Sequence, residues 1–395
     1  MVCLWKKSKH NLTHVGSQPQ GPTMSFNGSI IKTKAKEAGL TLVRLSQELG
    51  VSRQTVNGWT AGAVPRGSHL VKLCSVLHLK PEDFFSTSIV NLLSVPLHRT
   101  IRNKEVSSVM RTASQILAEQ YLNLFRLAPT VAVLPVVRVQ QKNQENAAII
   151  ANKLRDLSGI ANDKPMDYES AFRLLSKLGI YTIFRAFPED LKKDSYAFYS
   201  QIAGHRVVFV NIDTSPLDLI YYLLHETVHA IRDEEPGAID VVEEEKFCDL
   251  VAELTQFPDF YINNIARYIT ESQAPGTIVN RMKEVSRDNK HSLFGIYYRL
   301  KHLGMMPEGV KVGGAATNLK AAISTLRQIL FSHEDSRHYV ETLYKLSPNF
   351  MDLIKQQIPE CTVRKFGEWL GLDTSMDAQA VMEEISRSKS QGQGA

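Results

Sequence analysis

The chain has 395 residues, of which 43% are hydrophobic and 22% are charged, a composition that predicts two or three compact units. No run reaches the roughly 18 apolar residues of a membrane-spanning helix, and residues 1–23 lack the apolar stretch of a secretion signal. We therefore expect a cytoplasmic protein without membrane contacts. Neither a disulfide framework nor a cysteine zinc knuckle is indicated, because no Cys-x-x-Cys pair occurs among Cys3, Cys74, Cys248 and Cys361.

The net charge of +5 is distributed unevenly. Residues 1–85 contain 11 Lys and Arg against 4 Asp and Glu, a local net charge of +7, so the rest of the chain carries −2. A basic amino-terminal module on a nearly neutral body is typical of proteins in which one domain binds nucleic acid. The alternative is a solvated basic surface, because three of these lysines lie in residues 1–24, which we expect to be a disordered extension.

Residues 25–86 are predicted to form a small helical domain, with helices at residues 30–38, 42–49, 53–60 and about 70–79. The segment TLVRLSQELGVSRQTVNGWTAG within it has the plan of a helix-turn-helix. Its apolar residues would be buried between the two helices, so the polar start of the second helix would face a DNA major groove. We predict DNA contacts from Ser52, Arg53, Gln54, Thr55 and Asn57. A helical bundle that binds only protein is the alternative.

This segment resembles the Xre/Cro repressor family. The resemblance rests on Thr41 at the start of the first helix, on the turn Gly50-Val51-Ser52 and on Trp59 near the end of the second helix. The residues that follow Trp59 depart from the Glu and Gly that the family often has. The resemblance implies a regulator that binds double-stranded DNA, and a symmetric operator would require a homodimer.

The remainder of the chain is predicted to be mainly α, with a small α+β domain. We assign residues 87–145 to a connector, residues 146–262 to the α+β domain, residues 263–385 to a helical accessory region and residues 386–395 to a mobile tail.

Hydrophobic periodicity assigns the elements of this part of the chain. It predicts helices at residues 106–127, 146–178 and 217–231, and strands at residues 130–139, 180–184 and 207–211. The polar cluster HEDSRH, residues 333–338, is interpreted as a loop or solvated turn, because its two histidines are five residues apart.

The sequence HETVH places His225 and His229 one helical turn apart, with Glu226 between them. The surrounding residues are strongly apolar, and two imidazoles with a carboxylate in a buried helix are costly unless something binds them. Catalytic zinc takes three protein ligands and keeps one open position. The spacing therefore predicts a Zn²⁺ site with a third ligand farther along the chain.

The acidic run at residues 243–245 offers the third ligand. We choose Glu245, because Asp249 follows it by one helical turn and could hydrogen-bond a liganding histidine. Glu244 is the second choice, and a solvated helix face is the alternative for the whole run. In this arrangement Glu226 would be the general base that activates water. The donor that stabilises the oxyanion stays open among Tyr196, Tyr199, His205 and Arg206.

Residues 152–258 resemble the ImmA/IrrE family of zinc metallo-endopeptidases, which implies a zincin-like α+β fold. The resemblance rests on the strand VVFVN, on the HETVH motif and on the segment from Glu245 through Cys248 and Asp249 to Pro258. SLFGIYYRLKHLGM, residues 292–305, is similar to the helical segment that follows the metal site in that family. Val228 departs from the Gly that many members have before the second histidine.

This resemblance implies a protease that cleaves Xre-type repressors and so controls mobile-element or stress-response genes. We expect the helix-turn-helix to bring the protease to operator DNA or to a partner repressor, with self-cleavage in the linker as a further hypothesis. Residues 207–211 could hold an extended substrate by strand addition. Two alternatives are a non-catalytic regulator with a peptidase-like sensor domain and a toxin-antitoxin or prophage-immunity module.

Overall fold

The computed structural model describes residues 5–6, 26, 28–61, 63–80, 84, 93–95, 106–129, 136–139, 141–232, 240–333 and 335–387. The chain divides into a small unit, His10–Leu92, and a large unit that comprises Met1–Lys9 and Leu93–Ala395. Most described residues are helical and the large unit contains a small mixed sheet, as predicted. In the described part of the chain, no helix combines the length and the apolar character that crossing a bilayer requires.

Four helices of the small unit are α1 (Ser29–Glu37), α2 (Leu42–Leu49), α3 (Arg53–Thr60) and α4 (Gly67–Leu77). Side-chain caps explain why α2 and α3 start where the sequence predicts. The Thr41 hydroxyl accepts a hydrogen bond from the Arg44 amide, and the Ser52 hydroxyl accepts one from the Thr55 amide. Gly50 ends α2 in the left-handed conformation, with φ of 69°.

The core of the small unit joins all four helices. Its buried side chains include Ile31, Leu45, Leu49, Val56, Trp59 and Leu73. Leu42 and Val51, which were also predicted to be buried, pack against this core and stay partly exposed. One shared core therefore fixes α2 against α3 and leaves the polar side of α3 facing outward.

The strands of the large unit are β1 (Trp5–Lys6), β2 (Leu93–Ser94), β3 (Val136–Val137), β4 (Tyr181–Arg185), β5 (Ala197–Ile202) and β6 (His205–Asn211). A four-stranded sheet has the order β2-β5-β6-β4, and β1 pairs separately with β3. β5 and β6 form an antiparallel hairpin through Ala203 and Gly204, whose φ values of 48° and 82° suit a two-residue turn. β4 pairs with β6 in parallel.

The helices of the large unit are α5 (Ser108–Glu119), α6 (Leu122–Leu127), α7 (Gln144–Ser158), α8 (Tyr168–Lys177), α9 (Glu189–Lys192), α10 (Pro216–Arg232), α11 (Val241–Gln256), α12 (Asp259–Thr270), α13 (Pro275–Asp288), α14 (Leu293–His302), α15 (Gly313–Ala321), α16 (Leu326–Leu330), α17 (Ser336–Leu346), α18 (Pro348–Gln357), α19 (Val363–Leu370) and α20 (Ser375–Arg387). A short 3₁₀ helix, Ile358–Glu360, lies between α18 and α19.

Two cores organise these helices. The main core joins the sheet with α5–α8, α10, α11 and α16–α20. A second core joins α12–α15 with Leu217 of α10 and with Phe257 at the end of α11. Segments that we assigned to a connector and to an accessory region therefore share the main core with the predicted metal-binding helix.

Several predicted elements differ from the structure. The helix predicted at residues 146–178 is two helices, because Gly159 ends α7 with φ of 77° and Asp167 caps the start of α8. The helix predicted at residues 106–127 is likewise α5 and α6, separated at Gln120 and Tyr121. The strand β5 was not predicted.

The HEDSRH cluster is not a loop throughout. Asp335 caps α17, so the last three residues of the cluster belong to a helix, and the rings of His333 and His338 lie 4.5 Å apart.

The chain termini lie largely beyond the described residues. Of the predicted extension, residues 1–24, the structure describes only the strand β1. Of the predicted tail, it describes Ser386 and Arg387, which end α20. Of the strand predicted at residues 130–139, residues 130–135 lie outside the description and β3 is the part assigned as a strand.

Candidate metal centre and nucleic-acid interface

The two histidines of the HETVH motif lie on α10, and the segment with the acidic run forms the first turns of α11. α10 is mostly buried, since its apolar residues face the sheet and α11. Val228, where the resembling family often has Gly, is fully buried in the main core. The Asp240 carboxylate caps α11 by accepting hydrogen bonds from two main-chain amides. This packing determines which face of α10 contacts α11.

His225, His229 and Glu245 converge on one point between these helices. The Nε2 atoms of His225 and His229 lie 3.0 Å apart. Glu245 Oε2 lies 3.3 Å from His225 Nε2, and Glu245 Oε1 lies 3.3 Å from His229 Nε2. Three residues on two helices thus bring two ring nitrogens and two carboxylate oxygens together, and this donor triangle of His225, His229 and Glu245 is one of the residue groups able to hold a metal ion.

The triangle fits a zinc ion. Ligand nitrogen and oxygen atoms at about 2.0 Å from a tetrahedral zinc are separated from one another by about 3.3 Å. The observed separations of 3.0 to 3.3 Å are close to that value. Two neutral imidazoles and one carboxylate are also a donor set of catalytic zinc sites. The assignment of zinc and of its three ligands stays a prediction.

The electrostatics of the triangle favour a cation. Burial lowers the pKa of His225, but hydrogen bonds with Asp249 and Glu245 raise it more, to about 10. Burial raises the pKa of Glu245, but hydrogen bonds with both histidines lower it more, so this carboxyl ionises well below its usual range. A positive charge between these groups is therefore stabilised, whether it is a proton or a metal ion.

Asp249, which the sequence predicts to hydrogen-bond a liganding histidine, lies beside the Nδ1 atom of His225. Its Oδ1 atom is 3.0 Å from His225 Nδ1 and accepts a hydrogen bond of 2.7 Å from the Tyr221 hydroxyl. When this carboxylate accepts a hydrogen bond from the Nδ1–H group of His225, the Nε2 atom of the same ring carries no proton. Its lone pair is then directed at the centre of the triangle. Tyr221 in turn restricts the Asp249 side chain, a contact that the sequence did not reveal.

A different group lies behind His229. The Cys248 thiol is 3.6 Å from His229 Nδ1 and 3.8 Å from Glu244 Oε1. The sequence alone gives Cys248 no special role, because an isolated cysteine has no partner at a spacing typical of a metal site. Burial raises the pKa of this thiol well above its usual range, so it is present as the neutral S–H group.

Glu244, the second choice as ligand, is not part of the donor triangle and belongs with His229 and Cys248 to a second group able to hold a metal ion. Its carboxylate accepts hydrogen bonds from the buried Arg232 at the end of α10 and forms an ion pair of 3.0 Å with Lys142. Burial raises the pKa of Glu244, but the hydrogen bonds and charges of Arg232 and Lys142 lower it more. Two cations already pair with this carboxylate, and its contact with Arg232 ties α11 to the end of α10.

Glu226, the predicted general base, is partly buried next to a histidine of the donor triangle. It follows His225 on α10, and its Oε2 atom accepts a hydrogen bond of 2.7 Å from the main-chain amide of Tyr199 on β5. Burial raises the pKa of Glu226, whereas the neighbouring His229 and His225 lower it, and the net direction is upward. A carboxylate with a raised pKa gains a proton more readily than an exposed one.

The four candidates for an oxyanion donor differ in location. His205 and Arg206 are buried in β6, and the His205 ring packs near Phe125. The Tyr199 hydroxyl is buried as well, although its amide meets Glu226. Tyr196 is partly exposed, and its ring lies 5.0 Å from that of Tyr222, one helical turn before Glu226. Tyr196 therefore stays the candidate that is partly exposed, and its hydroxyl lies 3.5 Å from the Lys320 ammonium group.

The predicted strand addition to residues 207–211 is wrong. β6 pairs with β4 along one edge and with β5 along the other, so it has no free edge for an added strand. The sequence contains no local signal for this, because the order of strands is set by long-range pairing.

The predicted DNA-contacting residues lie at the start of α3 in the small unit. All five are exposed. The Ser52 hydroxyl caps the helix and lies 2.8 Å from the Thr55 hydroxyl, so these two side chains already share a hydrogen bond. Arg53, Gln54 and Asn57 present longer polar groups from the first turns of α3, where a recognition helix contacts base edges.

A comparison with known families identifies the domain that carries these residues. Residues 31–84 match the helix-turn-helix family, a region that spans α1 to α4. The chain therefore carries an Xre-type helix-turn-helix domain, which supports double-stranded DNA binding and a role in regulation. The comparison with curated proteins found no match.

Proposed function

We propose that the protein is a DNA-binding, zinc-dependent endopeptidase that cleaves a Xre-type repressor and thereby controls mobile-element or stress-response genes. The observation that carries this proposal is the convergence of His225, His229 and Glu245 beside Glu226. A buried group of this kind on two packed helices is costly to form unless it binds a cation. A carboxylate placed beside the triangle, but not in it, supports hydrolysis in addition to metal binding.

His225, His229 and Glu245 would hold the metal in the proposed mechanism. A bound zinc supplies Lewis-acid chemistry, since it lowers the pKa of water and polarises a carbonyl oxygen. Glu226 would accept a proton from the attacking water and then pass it to the leaving amine. The Tyr199 amide would hold the Glu226 carboxylate in place during both transfers. Asp249 and Cys248 would keep the two imidazole rings oriented.

The helix-turn-helix domain supports a regulatory protein as substrate. A protease tethered to operator DNA meets any repressor bound nearby at a high effective concentration, because both are confined to the same site. The resemblance of residues 152–258 to ImmA/IrrE proteins supports the same class of substrate. Cleavage of the repressor would then free the operator without a change in the DNA affinity of the protease.

A non-catalytic regulator is the second candidate. The observation in its favour is that the matched family covers the helix-turn-helix domain only. Such a protein would use His225, His229 and Glu245 to sense a metal or ligand and would not need Glu226. A toxin-antitoxin or prophage-immunity module that acts by contact would not need Glu226 either. The Glu226→Gln variant therefore separates the protease from both alternatives.

The test compares cells that contain the wild-type protein with cells that contain Glu226→Gln, by mass spectrometry of protein N-termini under inducing conditions. We expect the wild type to produce a new N-terminus within a helix-turn-helix repressor, and the variant to produce none. The purified variant should retain its zinc and its DNA binding, which excludes misfolding. Identical sets of N-termini in both cells would refute the protease and favour the regulator.

A further inference from the structure

The outer edge of β5 is the edge opposite β6, and a main-chain amide on this edge contacts Glu226. β5 pairs with β6 along its inner edge, and on the opposite edge the Tyr199 amide donates its hydrogen bond to Glu226. Alternate residues of a strand direct their amides to the same edge. Gln201 therefore shares the outer edge with Tyr199. An extended polypeptide that pairs with this edge would pass directly beside the proposed general base.

A segment of the same chain already lies on this edge. β2 pairs antiparallel with β5, with Leu93 opposite Ile202 and Ser94 opposite Gln201. The Ser200 hydroxyl donates a hydrogen bond of 3.0 Å to the Ser94 carbonyl oxygen. The Leu93 side chain is 9% exposed and belongs to the main core. Main-chain pairing, one side-chain hydrogen bond and apolar burial thus hold β2 in place.

The register directs this segment toward the proposed active site. Because the pairing is antiparallel, the chain advances from Ile202 toward Tyr199 as it passes from Leu93 to Ser94. Ser94 pairs with Gln201, and Tyr199 is the next residue of β5 whose amide faces the same edge. The Tyr199 amide donates its hydrogen bond to Glu226 and not to β2. The described pairing of β2 therefore ends one outward-facing amide before the contact with Glu226.

We propose that β2 is an intramolecular competitor for the strand position that binds an extended polypeptide substrate. The inference rests on the proposed function, and it adds where the substrate binds and what opposes its binding. A substrate segment would pair antiparallel with β5 and would have to displace Leu93 and Ser94. Release of β2 from the β5 edge, for example when the chain that flanks β2 moves away, would make this strand position available to a substrate.

The test measures binding of a fluorescein-labelled peptide with the sequence SIVNLLSVPLH, residues 88–98, to the zinc-free full-length protein by fluorescence anisotropy. Ser94→Pro removes the amide that faces β5, and Ser94→Ala is the matched control that keeps it. If β2 is docked in about nine molecules of ten, its release should raise the apparent affinity about tenfold. We expect this gain in Ser94→Pro and no gain in Ser94→Ala.

A reversible disulfide lock, which joins β2 to β5, provides a second test in case Ser94→Pro folds poorly. Ser94→Cys combined with Gln201→Cys places two thiols on directly paired residues, within the range that a disulfide spans. The oxidised lock should bind the peptide at least about tenfold more weakly than the reduced lock, by the same population argument. Equal binding in both redox states, or equal binding of Ser94→Pro and Ser94→Ala, would overturn the proposal. Because no zinc and no cleavage are involved, a failure of the protease hypothesis would leave these results unchanged.

Discussion

His225 and His229 point their Nε2 atoms at each other across 3.0 Å, and Glu245 completes the triangle from the neighbouring helix. At this distance one ring can donate an N–H hydrogen bond to the other, with the roles set by the tautomers. A metal ion in place of that shared proton would accept a lone pair from each ring and an oxygen of Glu245. The convergence of these three residues, more than the sequence motif, is why we expect a metal ion.

The first prediction concerns zinc content. The purified wild type should contain one zinc per chain, and His229→Ala and Glu245→Ala should each lose it, because two ligands hold zinc much more weakly than three. Glu243→Ala is the matched control, since Glu243 is an exposed member of the same acidic run. Elemental analysis after supplementation with zinc is the measurement. Loss in His229→Ala only would move the third ligand elsewhere, and a zinc-free wild type would favour the non-catalytic regulator.

The second prediction concerns the thiol behind His229. Cys248→Ala removes the group that lies 3.6 Å from His229 Nδ1, so the ring is less well oriented and zinc affinity should fall about tenfold. Cys248→Ser retains a hydroxyl at the same place and should lose less. Competition with a fluorescent zinc chelator gives the dissociation constants. Cys361→Ala, at a partly buried cysteine elsewhere, serves as control. Wild-type affinity in Cys248→Ala would show that the thiol does not position the ring.

The third prediction concerns DNA recognition by α3. A high-affinity sequence is first selected from random duplexes with the wild-type protein. Replacement of Arg53, Gln54 or Asn57 by Ala should then weaken binding to it by about 1–3 kcal/mol each and relax the base preference at particular positions. Lys72→Ala, an exposed basic residue of α4, should weaken binding to all duplexes similarly or not at all. If the three α3 variants bind like the wild type, the predicted interface is wrong.

The fourth prediction concerns the pH dependence of stability. His291 is fully buried in the large unit beside Tyr261, and its burial lowers its pKa to about 3, below the 6.5 of the unfolded chain. Between these values the unfolded chain binds a proton that the folded protein rejects. The free energy of unfolding should therefore fall as pH decreases from about 6 to 4, by about 1.4 kcal/mol per pH unit from this histidine.

Denaturant titrations of the wild type and of His291→Asn at several pH values measure this slope. The variant should lose stability less steeply on acidification, because it lacks the titrating group. His333→Asn removes an exposed histidine and should keep the slope of the wild type. Parallel curves for the wild type and His291→Asn would show that His291 does not couple folding to protons.

Local signals explain most of what the sequence predicted. Thr41 and Ser52 are caps whose effect is confined to one helical turn, so the bounds of α2 and α3 could be predicted from them. The four-residue spacing of His225 and His229 likewise fixes their common face on α10. The family match covers the region of α2 and α3 but not α10. The assignment of His225 and His229 as metal ligands therefore stays a prediction.

The elements and contacts that the sequence did not predict depend on pairings between residues that are distant in the chain. β5 was missed because both of its faces are largely buried, so its sequence lacks the alternation that marks a half-exposed strand. The contacts of Cys248 with His229 and of Tyr199 with Glu226 join residues 19 and 27 positions apart. No periodicity within one helix or strand encodes such contacts, and the error about β6 has the same origin.

The packing of α19 has a consequence for synthesis of the protein. Tyr121 donates a hydrogen bond to the Trp369 carbonyl oxygen, and Arg185 donates one to the carbonyl oxygen of Glu368, so the last helices close the main core that supports α10. These residues leave the ribosome long after the described core of the small unit, Phe26 to Phe84, is complete. The helix-turn-helix can thus fold while translation continues, whereas α10 and α11 reach their final packing only after α19 has emerged. A nascent chain would then carry a folded helix-turn-helix before its donor triangle is in place.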